Sequence, residues 1–525
     1  MSAAPERPWG GPGQILPFAA ARYPDKTALI TSTSWMSYRE LDRLSDAVAA
    51  SLAARGVVPG DVCSVYGQNC WEWIVAYHGI LKAGAVVNPV NVMLTGPELT
   101  FVLTDCRAKV LFVGPGQLPT ALAAAADAPA LDLVCVLGEG DPGAEAVPLT
   151  HLLAAGEGQQ VPLSPLVPQA LCSIGYTSGT TGHPKGAMQS HRSILLNCAL
   201  TATMHGRTAE DVVVTALPAA HVYGNVAINS TFLVGGTVVL MDRFDPARTL
   251  ELIASEHATM FEGVPAMYSM MTAHADFAHA DLSSLRMSSI GGQTFAPELI
   301  DRWNTRAPGP VLELWGMTEL SGLGTTHAVH APPVPGSIGV CLPGLDLRIA
   351  ALDDTGAEAV PGEHGELLVR GPLVMLGYLG RPEATAEALS PDGWLRTGDI
   401  AYRDDTGHVF IVDRLKDMIL TGGYNVYPAE IERVVATHPA VAMVAVGAVA
   451  DPVKGEIAVA YVVPVDGARP TASEVIEYCR DQLAAYKRPR EVVFVDSLPT
   501  TSSGKLMRRL LAETYPLPER TVRGG

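Results

Sequence analysis

The sequence predicts an α/β protein: a large multi-subdomain N-terminal domain of parallel sheets with helices plus a small β-rich subdomain, then a small α+β domain. Three observations predict it. Short apolar runs alternate with amphipathic stretches from Ile15 to Gly114 and again from Asp211 to Ser289, the pattern of buried parallel strands covered by helices. From Gly336 to Val412 the runs shorten and are broken by Gly and Asp. After Lys416 a compact unit follows whose charge differs: residues 415–525 carry 13 Lys+Arg and 13 Asp+Glu, against 36 and 54 for the whole chain. The body is therefore placed at 1–414, with its β-rich part at about 336–414, and the smaller domain at 415–525.

Taken in order, Tyr38 to Arg55 has the period of an amphipathic helix, Val62 to Tyr66 is an apolar strand, and Trp71 to Ala83 is a helix. Val110 to Val113 and Leu133 to Leu137 read as buried strands, and the alanine-rich Ala121 to Pro129 as a surface helix. The second alternation places strands at Val212 to Ala216, Gly236 to Leu240 and Thr259 to Gly263. The β-rich part offers Asp346 to Ala350, Gly365 to Arg370 and His408 to Val412, with turn signals at Asp354-Thr355-Gly356, Pro361-Gly362 and Asp405-Thr406-Gly407. Helices at Pro428 to Thr437 and Ser473 to Leu483 and strands at Val441 to Val449, Glu456 to Val463 and Glu491 to Val495 complete the chain.

Composition narrows the function. With 48% hydrophobic residues, the 525-residue chain has ample core for several structural units and is not a disordered polymer. A net charge of -18 without a long basic run argues against nucleic acid as a partner. The eight cysteines show no Cys-x-x-Cys pair, so free thiols in a reducing compartment are expected. Met1 to Gln14 lacks the apolar core of a secretory signal, and no apolar run approaches the roughly 20 residues of a membrane span. A cytoplasmic protein without integral membrane association is the expectation.

The strongest chemical signal is Tyr176-Thr177-Ser178-Gly179-Thr180-Thr181-Gly182-His183-Pro184-Lys185-Gly186. Its glycines let the backbone aim N–H groups inward, and its hydroxyls and one ammonium complete a cradle for phosphate oxygens. It is not a Walker loop, because Pro184 precedes Lys185 where that loop needs Gly. In Leu314-Trp315-Gly316-Met317-Thr318-Glu319, Trp315 offers a flat aromatic face. Trp394-Leu395-Arg396-Thr397-Gly398-Asp399 ends on a carboxylate whose two oxygens suit two hydroxyl donors.

These motifs, in this order over roughly Ile15 to Leu511, resemble the adenylate-forming (ANL) superfamily of acyl-CoA synthetases, luciferases and peptide-synthetase adenylation domains. The resemblance implies a large body and a small mobile C-terminal domain that together activate a carboxylate as acyl-AMP. It implies ATP, with Thr177, Ser178, Gly179, Thr180, Thr181, Gly182 and Lys185 at the β and γ phosphates, Thr318 at the α-phosphate, and Glu319 on Mg²⁺. It also implies that the flat face of Trp315 is set for adenine opposite the backbone of Gly291, Gly292 and Gln293. Asp399 would hold the ribose hydroxyls with Arg414 nearby, and Asp413-Arg414-Leu415-Lys416-Asp417 resembles the hinge, pivoting at Lys416. Gly422-Gly423-Tyr424 opens the stretch that turns toward the active site for the second half-reaction. Leu498-Pro499-Thr500-Thr501-Ser502-Ser503-Gly504-Lys505 resembles the segment carrying the catalytic lysine, whose ammonium stabilises charge gathering on the phosphoryl oxygens. Within Leu217-Pro218-Ala219-Ala220-His221-Val222-Tyr223-Gly224, His221 resembles the histidine beside the carboxylate.

The acid is narrowed by Val222, which falls where amino-acid-activating members place an Asp; an apolar residue cannot compensate an α-ammonium. Gly316 falls where acetate-specific members place Trp, leaving room for a larger acid. The expected lining is Tyr223, Asn225, Val264, Met267, Met270, Gly291, Gln293 and Leu320, adaptable enough for an alkyl chain or an aryl ring. Gln293-Thr294 replaces the common Ala-Pro, which fits a polar substituent on the acid or a local hydrogen bond equally well.

The resulting expectation is activation of a medium- or long-chain fatty or aryl acid by ATP and transfer to coenzyme A, giving acyl-CoA, AMP and pyrophosphate. The alternative is delivery to a carrier-protein thiol, an amine or a nitrogen oxyanion. A luciferase-like oxygenase has no positive support, and a non-catalytic nucleotide-binding regulator is opposed by intact Lys185, Glu319, Asp399 and Lys505. Partners are the acid, ATP and CoA, with homodimerisation left open.

Overall fold

The computed structural model describes residues 10–138, 142–159, 167–177, 184–292, 298–352, 357–422, 424–451, 454–480, 482–499 and 506–517. They gather into two compact units. The first takes residues up to Gly292, those from 298 to Leu347, and Val369–Arg396; the second takes Arg348–Leu368 and those from Thr397 onward.

Local chemistry sets the helices of the first unit. Ser37 begins helix Tyr38–Ala54 with a reciprocal cap: its Oγ accepts the Glu40 N–H at 3.3 Å, and the Glu40 carboxylate accepts the Ser37 N–H at 2.8 Å. Asp245 caps Pro246–Ser255 by accepting the Arg248 N–H at 2.7 Å, with Pro at the first helical position where no N–H is needed. One sheet runs in the order Gly377–Tyr378, Lys185–Ser190, Leu171–Thr177, Val86–Val90, Val62–Tyr66, Val110–Val113, Leu133–Val136, Val147–Pro148. Val110–Val113 is buried at all four positions, as a parallel strand covered on both faces must be. The other sheet has a parallel centre, with Val311–Met317, Met287–Gly291, Met260–Gly263, Val212–Thr215, Thr237–Leu240 and Thr27–Ile30 side by side. Antiparallel strands Gly322–Thr326 and Trp35–Ser37 flank that centre.

The second unit holds a four-stranded sheet ordered Asp346–Ala351, Gly365–Arg370, Leu395–Arg403, Val409–Arg414. A second sheet is built on the long hairpin Val441–Asp451 and Gly455–Pro464, with Ile419, Val426, Ile431, Val435 and Val446 in its core. A large α/β part with a smaller α+β part is the fold class that the alternation predicts; the second unit also takes Arg348–Leu368 and Thr397–Arg414 from the expected body.

Three expectations change. The alanine-rich helix spans Leu118–Ala125, not Ala121 to Pro129, and Ala121 and Ala124 are buried against Leu99, Leu103 and Leu111. Their small side chains let the helix lie close to its neighbours, so composition that suggested a surface marks a tight contact. Helix Ala472–Tyr478 ends before the expected Leu483, and the Arg488 guanidinium takes the carbonyls of Arg480 and Leu483 beyond it at 2.8 and 2.9 Å. Gly377–Tyr378, inside the expected β-rich stretch, instead extends the eight-stranded sheet of the first unit by pairing antiparallel with Lys185–Ser190.

Candidate active site

The phosphate-loop motif is a hairpin whose arms pair in register, Thr177 opposite Lys185, with the Thr177 hydroxyl 3.5 Å from the Lys185 carbonyl. Ser178, Gly179, Thr180, Thr181 and Gly182 lie outside the described residues. On one arm the Tyr176 hydroxyl donates to Asp105 Oδ2 at 2.7 Å, and Arg381 reaches Asp105 Oδ1 at 3.1 Å. At the other arm the Lys185 ammonium lies 5.4 Å from the Tyr378 ring centroid and has no carboxylate partner among the described residues. A cation with no anion beside it suits an anionic ligand.

Strand Val311–Met317 delivers a single 3-10 turn, Thr318–Leu320, beside that hairpin. Gln189 Nε2 donates to the Thr318 carbonyl at 2.8 Å, and a Cβ on Gly175 would lie 2.5 Å from the Thr318 methyl, so the glycine admits the turn. The Thr318 hydroxyl has no partner among the described residues. Glu319 is 6% exposed; its Oε1 accepts the Tyr378 O–H at 2.8 Å, while its other carboxylate oxygen has no partner among the described residues. Burial and the Glu319 charge push the Tyr378 hydroxyl well up, so it stays a donor. A buried carboxylate with one oxygen held and one open is a hard donor that fits a divalent cation such as Mg²⁺. Tyr378 is the residue that reading the sequence missed; its signal was the Gly377-Tyr378 step just before Arg381-Pro382-Glu383, where a helix begins.

The adenine side differs from expectation in detail. Trp315 is 8% exposed, and a Cβ on Gly324 would lie 2.6 Å from its ring, so the ring packs closely against the neighbouring strand on that side. A Cβ on Gly291 would meet Leu314 Cδ1 at 2.3 Å, so that glycine serves strand packing. Gly292 adopts φ +92°, a conformation L side chains rarely take. Gln293 lies outside the described residues.

On the acyl side, His221 is exposed and caps helix Val222–Val234, its Nδ1 accepting the Tyr223 N–H at 3.3 Å. The Tyr223 hydroxyl meets Ser289 Oγ at 2.6 Å in a buried network. Ser289 gives its only proton to Glu262 at 2.7 Å, and Glu262 pairs with buried Arg207. Asn225, accepting from the Tyr77 hydroxyl at 3.2 Å, borders a small cavity whose lining mixes apolar Pro89, Ile194 and Val222 with polar Ser173, Gln189 and Ser321. Val264 and Met267 are half-buried and Leu320 is fully buried, whereas Met270 is 52% exposed and Met271 points inward instead. Gly316 is also corrected: a Cβ there would lie 2.2 Å from the Gly322 carbonyl, so the glycine is required by the adjoining strand.

In the second unit Asp399 is 2% exposed and paired at 2.7 Å with Arg414, whose guanidinium stays half exposed. Lys416 is exposed in a single turn, Leu415–Asp417, and Gly422 holds φ +57°. Asp413 accepts the N–H groups of Arg414 and Ala429, both at 2.7 Å, tying helix Pro428–Val435 to the strand before the turn. Arg508, three residues after Lys505, reaches Glu432 at 2.5 Å and Asp417 at 3.7 Å. Gly423 and Lys505 themselves lie outside the described residues.

Comparison with known proteins agrees with this geometry. The model of the AMP-binding enzyme family matches residues 16–379, and that of the AMP-binding enzyme C-terminal domain matches 430–505. A feruloyl-CoA synthase from Amycolatopsis sp is 39% identical over 92% of this chain and 95% of its own. A long-chain-fatty-acid–CoA ligase from Bacillus subtilis is 34% identical over 95% and 93%. Among solved structures, the anthranilate CoA ligase AuaEII in complex with anthranoyl-AMP superposes with a TM-score of 0.90 at 28% identity, covering 98% of this chain and 99% of that one. The chain belongs to the adenylate-forming superfamily of AMP-binding ligases. It binds ATP and adenylates a carboxylic acid to acyl-AMP.

Proposed function

We propose that the chain is an AMP-forming acid:CoA ligase acting on an aryl or medium- to long-chain fatty acid. The observation that carries the reading is the convergence of a Lys185 ammonium without a carboxylate partner among the described residues, the Thr318 hydroxyl and the Glu319 carboxylate on one corner of the first unit. That set has a cation for phosphates, a donor for the α-phosphate and an oxygen ligand for Mg²⁺. The ion, when bound, neutralises charge on the nucleotide phosphates. Lys185 and Thr318 orient ATP for in-line attack by the acid, which enters past His221 and the Val264 and Met267 side chains. Asp399, with Arg414, takes the ribose hydroxyls. Lys505 stabilises the charge that accumulates on the α-phosphoryl oxygens and withdraws as the 415–525 domain turns about Lys416 for the thiol step. CoA as acceptor is supported by the full-length likeness to CoA ligases of aryl and fatty acids. The eight free cysteines suit a reducing compartment, and we assign the enzyme to the cytoplasm.

The test is release of AMP and pyrophosphate across aliphatic, aryl and dicarboxylic acids, each with and without CoA. AMP release that depends on CoA and yields a thioester for one class supports the reading. Pyrophosphate release indifferent to CoA would move the acceptor elsewhere, to a carrier protein, an amine or a nitrogen oxyanion.

A further inference from the structure

The segment from Gly377 to Arg381 touches both arms of the phosphate hairpin and the metal-binding turn. Gly377–Tyr378 pairs with Met188 and Ala187, and the Leu379 N–H donates to the Gly186 carbonyl at 2.8 Å, fixing the backbone just beyond Lys185. The Tyr378 ring stands 5.4 Å from the Lys185 ammonium, and its hydroxyl donates to Glu319 at 2.8 Å. Arg381, three residues on, holds Asp105, and Asp105 holds Tyr176 on the opposite arm. Among the described residues, Tyr378 is the side chain that both Lys185 and Glu319 touch. The ring face attracts the ammonium without neutralising it, as a carboxylate would, so the lysine is steadied yet left for phosphate. The hydroxyl stops rotation of the carboxylate by a charge-assisted bond to one oxygen.

We propose that Tyr378 is a dual positioning residue: its O–H turns the second oxygen of Glu319 toward a divalent cation, and its ring holds Lys185 in register for the nucleotide phosphates. The inference rests on the adenylate-forming reading and adds to it the residue that couples the metal ligand to the loop lysine. Outer-sphere hydrogen bonds of this kind change metal affinity by about 10–100-fold when removed.

The test is equilibrium binding of ATP to the full chain without any acid, by calorimetry, across a Mg²⁺ titration and in its absence. Tyr378→Phe keeps the ring and loses the O–H; Tyr378→Leu loses both. The Phe variant should bind metal-free ATP like the unaltered protein but require about tenfold or more Mg²⁺ for the metal-dependent gain. The Leu variant should share that shift and also bind metal-free ATP several-fold more weakly. An unchanged Mg²⁺ midpoint in Tyr378→Phe, or loss of its metal-free binding, overturns the role of the hydroxyl. Equal metal-free affinities for Phe and Leu overturn the role of the ring. Thermal midpoints of the three proteins identify a folding defect: weakened binding in a variant whose midpoint matches that of the unaltered protein supports the proposal, and weakening that comes only with a lowered midpoint counts against it. Failure of the unaltered protein to bind ATP at all would sink the functional reading itself, an outcome visible without either variant.

Discussion

Replacing Glu313 by Gln should flatten the dependence of stability on pH. Glu313 lies in strand Val311–Met317, is 6% exposed, accepts the Gly336 N–H at 2.7 Å, and has no ion pair among the described residues. Burial pushes its carboxyl up from about 4.5 to about 7, and the Gly336 hydrogen bond opposes this only in part. A raised carboxyl pKa means that the native state holds its proton more tightly than the unfolded chain does. The contribution is complete below about 4.5 and is lost as pH rises to about 7. A pKa difference of about 2.5 corresponds to an upper limit of about 3 kcal/mol, at about 1.36 kcal/mol per pKa unit. Glu313→Gln keeps the volume and the acceptor oxygen for Gly336 but carries no charge. Urea unfolding midpoints, measured for both proteins from pH 4.5 to pH 8, should coincide at the acid end and separate above neutrality, with the variant ahead by about 2–3 kcal/mol. Parallel curves through that window, or an advantage for the unaltered protein at high pH, would refute the reasoning.

Other consequences are equally direct. Arg508→Met leaves Glu432 without its cation and should cost the second unit about 3–5 kcal/mol, seen as faster hydrogen exchange between 415 and 517 with the first unit unchanged; uniform acceleration would contradict it. Gly316→Ala forces a Cβ toward the Gly322 carbonyl at 2.2 Å and should destabilise by about 1–3 kcal/mol, whereas an unchanged thermal midpoint would mean that the strand pair yields freely. Lys505→Ala should lower acyl-AMP formation by about two to three orders of magnitude while thioester formation from supplied acyl-AMP is largely kept. Equal loss in both half-reactions would show that the lysine does not divide its labour.

Much of the fold was legible because its signals are local. The largely apolar Val62–Tyr66 and the all-apolar Val110–Val113 read as covered strands, and the period of Tyr38 to Arg55 marks a helix without reference to anything distant. Where the outcome depended on a neighbour, reading failed. Alanines at 121 and 124 look like surface until Leu99, Leu103 and Leu111 close over them. The carbonyls past Tyr478 are met by Arg488, a partner that the local periodicity does not record. Gly316 and Gly291 looked like room for ligand, but the space beside each is filled by strand atoms. Met270 and Met271 are indistinguishable by composition, and the stripe Pro265, Tyr268, Met271 decides which faces the core.

By itself, the sequence determined the fold class and carried the ordered motifs that mark an adenylate-forming ligase, because periodicity and motif spacing are carried by adjacent residues. Only the tertiary structure decided which side chains hold that set in place. Tyr378 meets Glu319 across 59 residues because an edge strand docks on Lys185–Ser190, and Tyr223 turns to Ser289 across 66 because Glu262 and Arg207 are buried beneath it. Contacts of that range are set by strand pairing and by the need to satisfy buried polar groups, neither of which any short stretch of sequence records.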